Sequence, residues 1–231
     1  MDVRAIPGQG HLPWAEVWFH TVDEESWREA SRKARELGKR GLEVWTTEAH
    51  PDVGAFLKQR GYEEVRRYLR FALDVGAAAD PGDPGWPLTT LAERPELLPQ
   101  VYDVAREVYV DQPGREDSDI GSLEVWQAWA VDPNPKDAFV VALAEDRAVG
   151  FGFLVVHGDE AEHQMTGVAR AWRGRGIAEA IKRAHIRWAK ANGVRVLRTA
   201  NEVRIAAIRR LNERYGYRPE PTEIVMRGPL A

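Results

Sequence analysis

Two glycines separate a predicted strand from a predicted amphipathic helix in the C-terminal half of the chain. The strand candidate runs from Glu160 to Val168, the helix candidate from Ile177 to Ala191, and residues 173–178 between them read Arg-Gly-Arg-Gly-Ile-Ala. Small residues let backbone N–H groups approach an anion, and the start of a helix adds partial positive charge. We therefore predict that residues 173–178 form a phosphate cradle in an α/β chain.

The segments around this junction predict a complete α/β unit. Short turns separate three strand candidates, 138–144, 148–156 and 160–168, which is the pattern of an antiparallel meander. A strand and two helices are predicted before the meander, and helix, strand and helix after it. The leading candidates are 87–92, 96–108 and 122–130, and those after the meander are 177–191, 194–199 and 205–214.

The N-terminal part repeats the second half of this order. Helix, strand, helix and strand are predicted at 27–37, 42–46, 52–59 and 65–75. The Pro- and Gly-rich run that follows reads as an interdomain linker. We predict a partial, degenerate copy at 1–75, a linker at 76–86 and a complete domain at 87–231. The copy has no glycine where a cradle would be needed, at Val22–Trp27, and this stretch is acidic.

Charge is distributed unevenly along the chain. From Thr166 to Arg218 there are fourteen Lys and Arg residues against three Glu, although the formal net charge of the chain is −4. On charge alone this stretch suits a solvated helical face, an RNA patch or the seat of a polyanionic cofactor. No Cys is present, which excludes disulfides and a thiolate nucleophile, and the six His show no metal-ligand spacing. With no signal or membrane span in the sequence, we expect a cytoplasmic protein without metal.

The junction resembles the cofactor loop of the GNAT superfamily of N-acetyltransferases, Gln/Arg-x-x-Gly-x-Gly/Ala. Arg173, Gly176 and Ala178 match its spaced positions, and Asn201 with the stretch 208–217 resembles the closing strand-helix-strand motif of that family. The resemblance implies a GNAT fold, in which helices flank a mixed, mostly antiparallel central sheet. It also implies acetyl-CoA as the acyl donor. The partial N-terminal copy suggests the tandem, mycothiol-synthase-like subgroup.

The resemblance also implies which residues hold the cofactor. In the family, pantetheine lies where the fourth strand splays from the fifth, and Val168 and Ala169 occupy that position. The pyrophosphate would meet the N–H groups of the cradle, and later residues complete the cofactor site. The cradle positions are Arg173, Arg175, Gly176, Ile177 and Ala178, and the later ones are Asn201 and Arg204. Arg204 stands where the family commonly has Asn, so it either binds phosphate or faces solvent.

Glu162 is the catalytic candidate, because it lies eleven residues before Arg173, where several family members carry a Glu or His as general base. The alternative is an exposed strand carboxylate. Asn212 stands where the family often has a Tyr that protonates the leaving thiolate. We interpret the nearby Tyr215 as core packing.

The expected partner is an amine-bearing small molecule or peptide. Seven acidic residues lie between Asp103 and Glu124 with only Arg106 and Arg115 opposed, which favours a cationic acceptor. Nucleic acid is disfavoured because no stacking-aromatic motif accompanies the arginines, and a homodimer is left open. A non-catalytic acyl-CoA sensor is the alternative function.

Overall fold

Helices and strands alternate through the chain. The computed structural model describes residues 2–6, 11–111, 119–202 and 206–231. The strands are β1 (Val3–Ala5), β2 (Trp14–Trp18), β3 (Gly41–Thr47), β4 (Glu63–Asp74), β5 (Leu88–Thr90), β6 (Val140–Ala144), β7 (Arg147–His157), β8 (Glu160–Val168), β9 (Val196–Glu202) and β10 (Arg218–Pro229). The helices are α1 (Glu24–Glu36), α2 (Pro51–Lys58), α3 (Leu98–Tyr109), α4 (Leu123–Trp126), α5 (Ile177–Ala191) and α6 (Ala206–Arg214).

The chain forms two compact units. Among the described residues, the first unit contains those up to Arg70, those from Pro219 on, and Asn201 with Glu202. The second contains Phe71–Ala200 and Ala206–Arg218. The predicted division into a partial copy at 1–75, a linker at 76–86 and a complete domain at 87–231 stays a prediction.

In the first unit the strand order is β1-β2-β3-β10-β4. Strands β2 and β3 are parallel, whereas β10 is antiparallel to β3. A capping box starts α1: the Ser26 amide donates to the Asp23 carboxylate at 2.8 Å, and the Asp23 amide donates to Ser26 Oγ at 2.9 Å. Apolar side chains of β2, β3, α1 and α2 then share one core.

In the second unit the strand order is β9-β8-β7-β6-β5. Strands β5 to β8 are antiparallel and β9 is parallel to β8, so the predicted meander is confirmed. Helix α5 begins and ends at the predicted residues, because its apolar positions recur at helical spacing up to the stop at Gly193.

Helices cover both faces of this part of the sheet. Side chains from alternate strand positions pack against α3 on one face, with Phe151, Phe153 and Met165 among them. Val149 and Ala142 pack against Ile177 and Ile181 of α5 on the other face. The predicted fold class, a mixed and mostly antiparallel sheet flanked by helices, is confirmed.

The helix predicted at 122–130 changes type along its length. Only Leu123–Trp126 is α-helical, and Gln127–Val131 continues as a π-helix. The Asp132 amide donates to the Gln127 carbonyl, five residues back, at 3.0 Å. This wider turn places residues five apart on one side, so Trp126 and Val131 are both buried in the α3-face core.

The glycine-rich segment 76–86 is in contact with α5. Cationic side chains of the helix donate hydrogen bonds to its backbone carbonyls: Arg183 to Asp83, Arg187 to Gly82 and Lys190 to Ala78. Part of the basic stretch therefore contacts another segment of the chain, although its side chains keep their charge. These hydrogen bonds hold the segment against α5.

Candidate functional site

Strands β8 and β9 form a fork. Their parallel pairing runs from Glu160 with Val196 to His163 with Thr199, whereas β8 continues to Val168. The register of β8 on β7 shifts between Phe153 and Leu154, which leaves Gln164 as an extra residue. Such a bulge bends the strand and increases its twist. Among the pairings that the described residues show, residues 165–168 therefore pair with β7 on one edge only, and the extra residue Gln164 has no partner in either strand.

The backbone of β8 presents alternate residues to the gap of the fork. The Ala169 amide donates to the Val149 carbonyl of β7 at 2.9 Å. By the alternation of antiparallel strands, the amides of Val168 and Thr166 point to the opposite edge. The sequence analysis named Val168 and Ala169 but not Thr166. Every second amide of a strand points to the same edge, so counting back two residues from Val168 would have identified Thr166.

The cradle predicted at 173–178 lies directly after this edge. Gly174 and Gly176 both have left-handed φ angles, 76° and 83°, and Gly176 precedes the first turn of α5. The Ala180 amide donates to the Gly176 carbonyl at 2.9 Å. The amides of Ile177, Ala178 and Glu179 precede this first helical bond and have no partner inside the helix. No side chain of the described residues caps this end of α5.

Two arginines beside the cradle hold an aspartate of the segment after α3. Arg170 and Arg173 each donate to Asp111 at 2.5 Å. Hydrogen bonds from Arg170 and then Arg173 lower the pKa of Asp111 to about 2. Asp111, one of the seven acids counted between Asp103 and Glu124, is therefore paired with arginines from another part of the chain.

The remaining predicted cofactor residues differ in their surroundings. Arg173 Nε also donates to the Val168 carbonyl at 3.0 Å, and the Arg175 guanidinium lies 4.7 Å from the centroid of the Trp172 ring. Ile177 is buried, so only its backbone faces the cradle. Asn201 belongs to the first unit, and Arg204 lies outside the described residues.

Glu162 lies just before the fork on β8. It pairs with Val155 of β7, whose side chain packs on the α3 face, and directly paired residues point to the same face. Glu162 is half-buried, and its partner in β9 is Arg198. The structure thus places it on the α3 face of the fork, whereas His163 lies on the α5 face.

Tyr215 is not core packing, contrary to expectation. Its half-exposed hydroxyl donates to Glu179 at 2.7 Å and accepts from Arg183 Nε at 2.5 Å, next to the first turn of α5. Burial and then the Glu179 contact raise its pKa. Asn212, in the position where the family often has Tyr, is fully buried.

A cavity of about 400 Å³ opens beside α3. Acidic side chains dominate its polar lining, which favours a cation. The lining residues are Asp103, Arg106, Glu107, Tyr109, Val110, Asp119 and Ile120.

The fork and the cradle together suit a ligand that has both an extended amide chain and phosphates. The amide chain can pair with the edge of β8, and the phosphates can bind at the N-terminus of α5. The sequence model of the Acetyltransferase (GNAT) family matches residues 98–217. The chain therefore belongs to this family. It is an acyltransferase, and the family uses acetyl-CoA as its donor.

Solved structures share the fold at low sequence identity. A GCN5-related N-acetyltransferase from Sphaerobacter thermophilus has 20% identity and a TM-score of 0.69, with 99% of this chain and 75% of that chain covered. A tandem GNAT protein from the clavulanic acid biosynthesis pathway has 18% identity, a TM-score of 0.67 and coverages of 94% and 75%. A GCN5-related N-acetyltransferase from Kribbella flavida has 18% identity, a TM-score of 0.62 and coverages of 94% and 82%.

No curated protein sequence matches the chain. Within the described ranges no helix is long and apolar enough to cross a membrane. The tandem subgroup, the degenerate copy and the cytoplasmic location stay predictions.

Lys182 on the buried side of α5 predicts a pH dependence of stability. It is 8% exposed, with Nζ 4.4 Å from the centroid of the Tyr217 ring, and burial lowers its pKa to about 7. The ordinary value is 10.5, so between these pH values the unfolded chain binds more protons and the free energy of unfolding rises with pH. We expect Lys182→Met to remove about 2 kcal/mol of this rise between pH 7 and 9, measured by urea unfolding.

The matched control is Lys58→Met, which removes an exposed lysine of α2. It should leave the pH profile of the wild type unchanged. Parallel profiles for the wild type and Lys182→Met would contradict the prediction.

Proposed function

We propose that this chain transfers the acetyl group of acetyl-CoA to an amine of a cationic small molecule or peptide. The amine nitrogen attacks the thioester carbonyl directly. The C–N bond forms, the C–S bond breaks with its electron pair on sulfur, and the amine proton goes to a base. Alignment of the two reactants supplies much of the rate enhancement, on the order of 7 to 11 kcal/mol in well-oriented systems.

The observation that carries the proposal is the β8 edge beyond its pairing with β9, which ends at the cradle and on which the Val168 carbonyl accepts from Arg173 Nε. Residues 164–168 span about 16 Å as an extended strand. The pantetheine arm is comparable to roughly four to five extended residues. With its pyrophosphate on the amides of Gly176, Ile177 and Ala178, the arm would pair with Val168 and Thr166. The thioester would then lie at the closed end of the fork, near Gln164.

Glu162 is the proposed general base. It lies one residue before the last paired position of the fork, on the α3 face, and so is within one or two strand positions of the proposed thioester site. A carboxylate there can accept the amine proton directly or through a water molecule. The proposed acceptor site is the acidic cavity beside α3.

A thiol-release screen with acetyl-CoA tests the proposed function. Cationic amines should release coenzyme A faster than neutral hydroxyl or carboxylate compounds of similar size. Release with neutral acceptors alone would refute the cationic acceptor. Binding of acetyl-CoA without acceptor-dependent release from any compound would favour the sensor, for which the Asn212 position is the supporting observation.

The acidic lining predicts a specific effect on the acceptor. Asp103→Asn should raise the KM for a cationic amine about fivefold, because an exposed charge pair contributes roughly 1 kcal/mol. The KM for acetyl-CoA should stay unchanged in the same assay. Asp52→Asn, an exposed aspartate of α2, is the control and should have no effect. An unchanged acceptor KM in Asp103→Asn would exclude this residue from the site.

A further inference from the structure

A buried chain of polar rings lies on the α5 face of the fork. Tyr217 Oη is 2.7 Å from His163 Nε2, and His163 Nδ1 is 3.1 Å from His185 Nδ1. His185 Nε2 is 3.2 Å from the Gly152 carbonyl oxygen of β7. The three side chains are at most 9% exposed, so these groups cannot rely on water for their hydrogen bonds.

The direction of each hydrogen bond follows from the last acceptor. A carbonyl oxygen only accepts, so His185 Nε2 carries a hydrogen. Burial lowers the pKa of His185 to about 3 and that of His163 well below its ordinary value, so both rings are neutral. His185 Nδ1 therefore accepts from His163 Nδ1–H, and His163 Nε2 accepts from the Tyr217 hydroxyl. The order is Tyr217 to His163 to His185 to Gly152.

This chain bridges the two sides of the β8 bulge. His163 is the last residue of β8 that pairs with β9, and Gly152 pairs with Thr166 in the segment beyond the bulge. Gly152 also permits the close approach of α5, since a Cβ there would lie 2.6 Å from Ile181 Cγ2 and 3.0 Å from His185 Cε1. The network thus connects the closed end of the fork, the strand beyond it and helix α5.

We infer that Tyr217, His163 and His185 are positioning residues that hold the bent edge of β8 in the geometry that pairs with pantetheine. This inference rests on the proposed function, which places pantetheine on that edge. A bulge disrupts the ladder locally, and this directed chain of hydrogen bonds connects the strand positions on its two sides. Removing the Tyr217 hydroxyl takes away the first donor of this chain, so that the buried His163 Nε2 loses its hydrogen-bond donor.

The experiment compares two ligands by calorimetry in the full chain. Coenzyme A contacts both the cradle and the β8 edge, whereas 3′-phospho-ADP, the same nucleotide without the pantetheine arm, contacts only the cradle side. In Tyr217→Phe, coenzyme A should bind about five- to tenfold more weakly, because a buried acceptor has lost its hydrogen-bond donor. The affinity for 3′-phospho-ADP should stay unchanged. His163→Leu should show the same selective loss.

Tyr62→Phe is the matched control, because Tyr62 is also a buried tyrosine whose hydroxyl is hydrogen-bonded, to Pro229 and Trp27. It should change neither affinity. Equal weakening of both ligands in Tyr217→Phe, or none, would overturn the positioning role. If the wild type binds coenzyme A no better than 3′-phospho-ADP, the pantetheine arm adds no affinity, and the proposed pantetheine site on β8 is refuted. Tyr217→Phe alone decides the test if His163→Leu does not fold.

Discussion

Glu162→Gln should lower kcat by roughly a hundredfold near neutral pH, the usual contribution of a general base. The amide keeps the shape of the side chain on the α3 face of the fork but cannot accept the amine proton. The affinity for acetyl-CoA should hardly change, because the proposed cofactor contacts are made by β8 backbone beyond the bulge and by the cradle. Steady-state kinetics with a cationic amine and direct acetyl-CoA titration measure the two quantities separately.

Raising the pH should partly restore the rate of Glu162→Gln, because free amine then forms in solution without a base on the enzyme. Glu160→Gln is the matched control: Glu160 lies two residues earlier on the same face of β8, half-buried and hydrogen-bonded to Arg198. It should keep wild-type kcat. If the Glu162→Gln variant keeps the wild-type kcat and pH profile, Glu162 is only a surface carboxylate and not the general base. The remaining candidates for the base are then His157 and a water chain. His163 does not qualify, because its Nε2 accepts from Tyr217.

Sequence patterns predicted the elements of the second unit well. Helix α5 spans the predicted residues because apolar side chains at helical spacing and a terminal glycine report burial along a single element. The strand β8 was likewise predicted from alternation and short turns. The sequence also located the turn before α5, in which Gly174 and Gly176 have left-handed φ angles.

Contacts between distant elements could not be predicted in this way. The pairing of Asp111 with Arg170 and Arg173 depends on which strand ends meet the end of α3, and periodicity carries no such information. The role of Tyr215 likewise depends on the packing of α5 beside it. The hydrogen-bond chain from Tyr217 to Gly152 also joins elements that are far apart in sequence, since His163 lies on β8, His185 on α5 and Gly152 on β7.

Gly176→Val should abolish the stabilisation that acetyl-CoA gives the wild type, about 2.7 kcal/mol at one hundred times the dissociation constant. Gly176 has a φ of 83°, which a β-branched residue adopts only with strain, and a Cβ there would meet nothing within 4 Å of the protein. The substituted side chain therefore enters open space beside the start of α5, where the pyrophosphate is proposed to bind. Thermal unfolding with and without acetyl-CoA measures the loss.

Gly193→Val separates loss of the anion site from backbone strain. Gly193 follows the other end of α5, has a φ of 71° and likewise has open space around its Cβ position, so its replacement should cost similar stability but keep the acetyl-CoA shift. Calorimetry of the wild type should give one site per chain. At the start of α1, Asp23 occupies the Ser26 amide and Glu24 and Glu25 lie in the first turn, so carboxylates fill the place that an anion would need. Two equivalent sites, or an unaltered shift in Gly176→Val, would refute a single cradle.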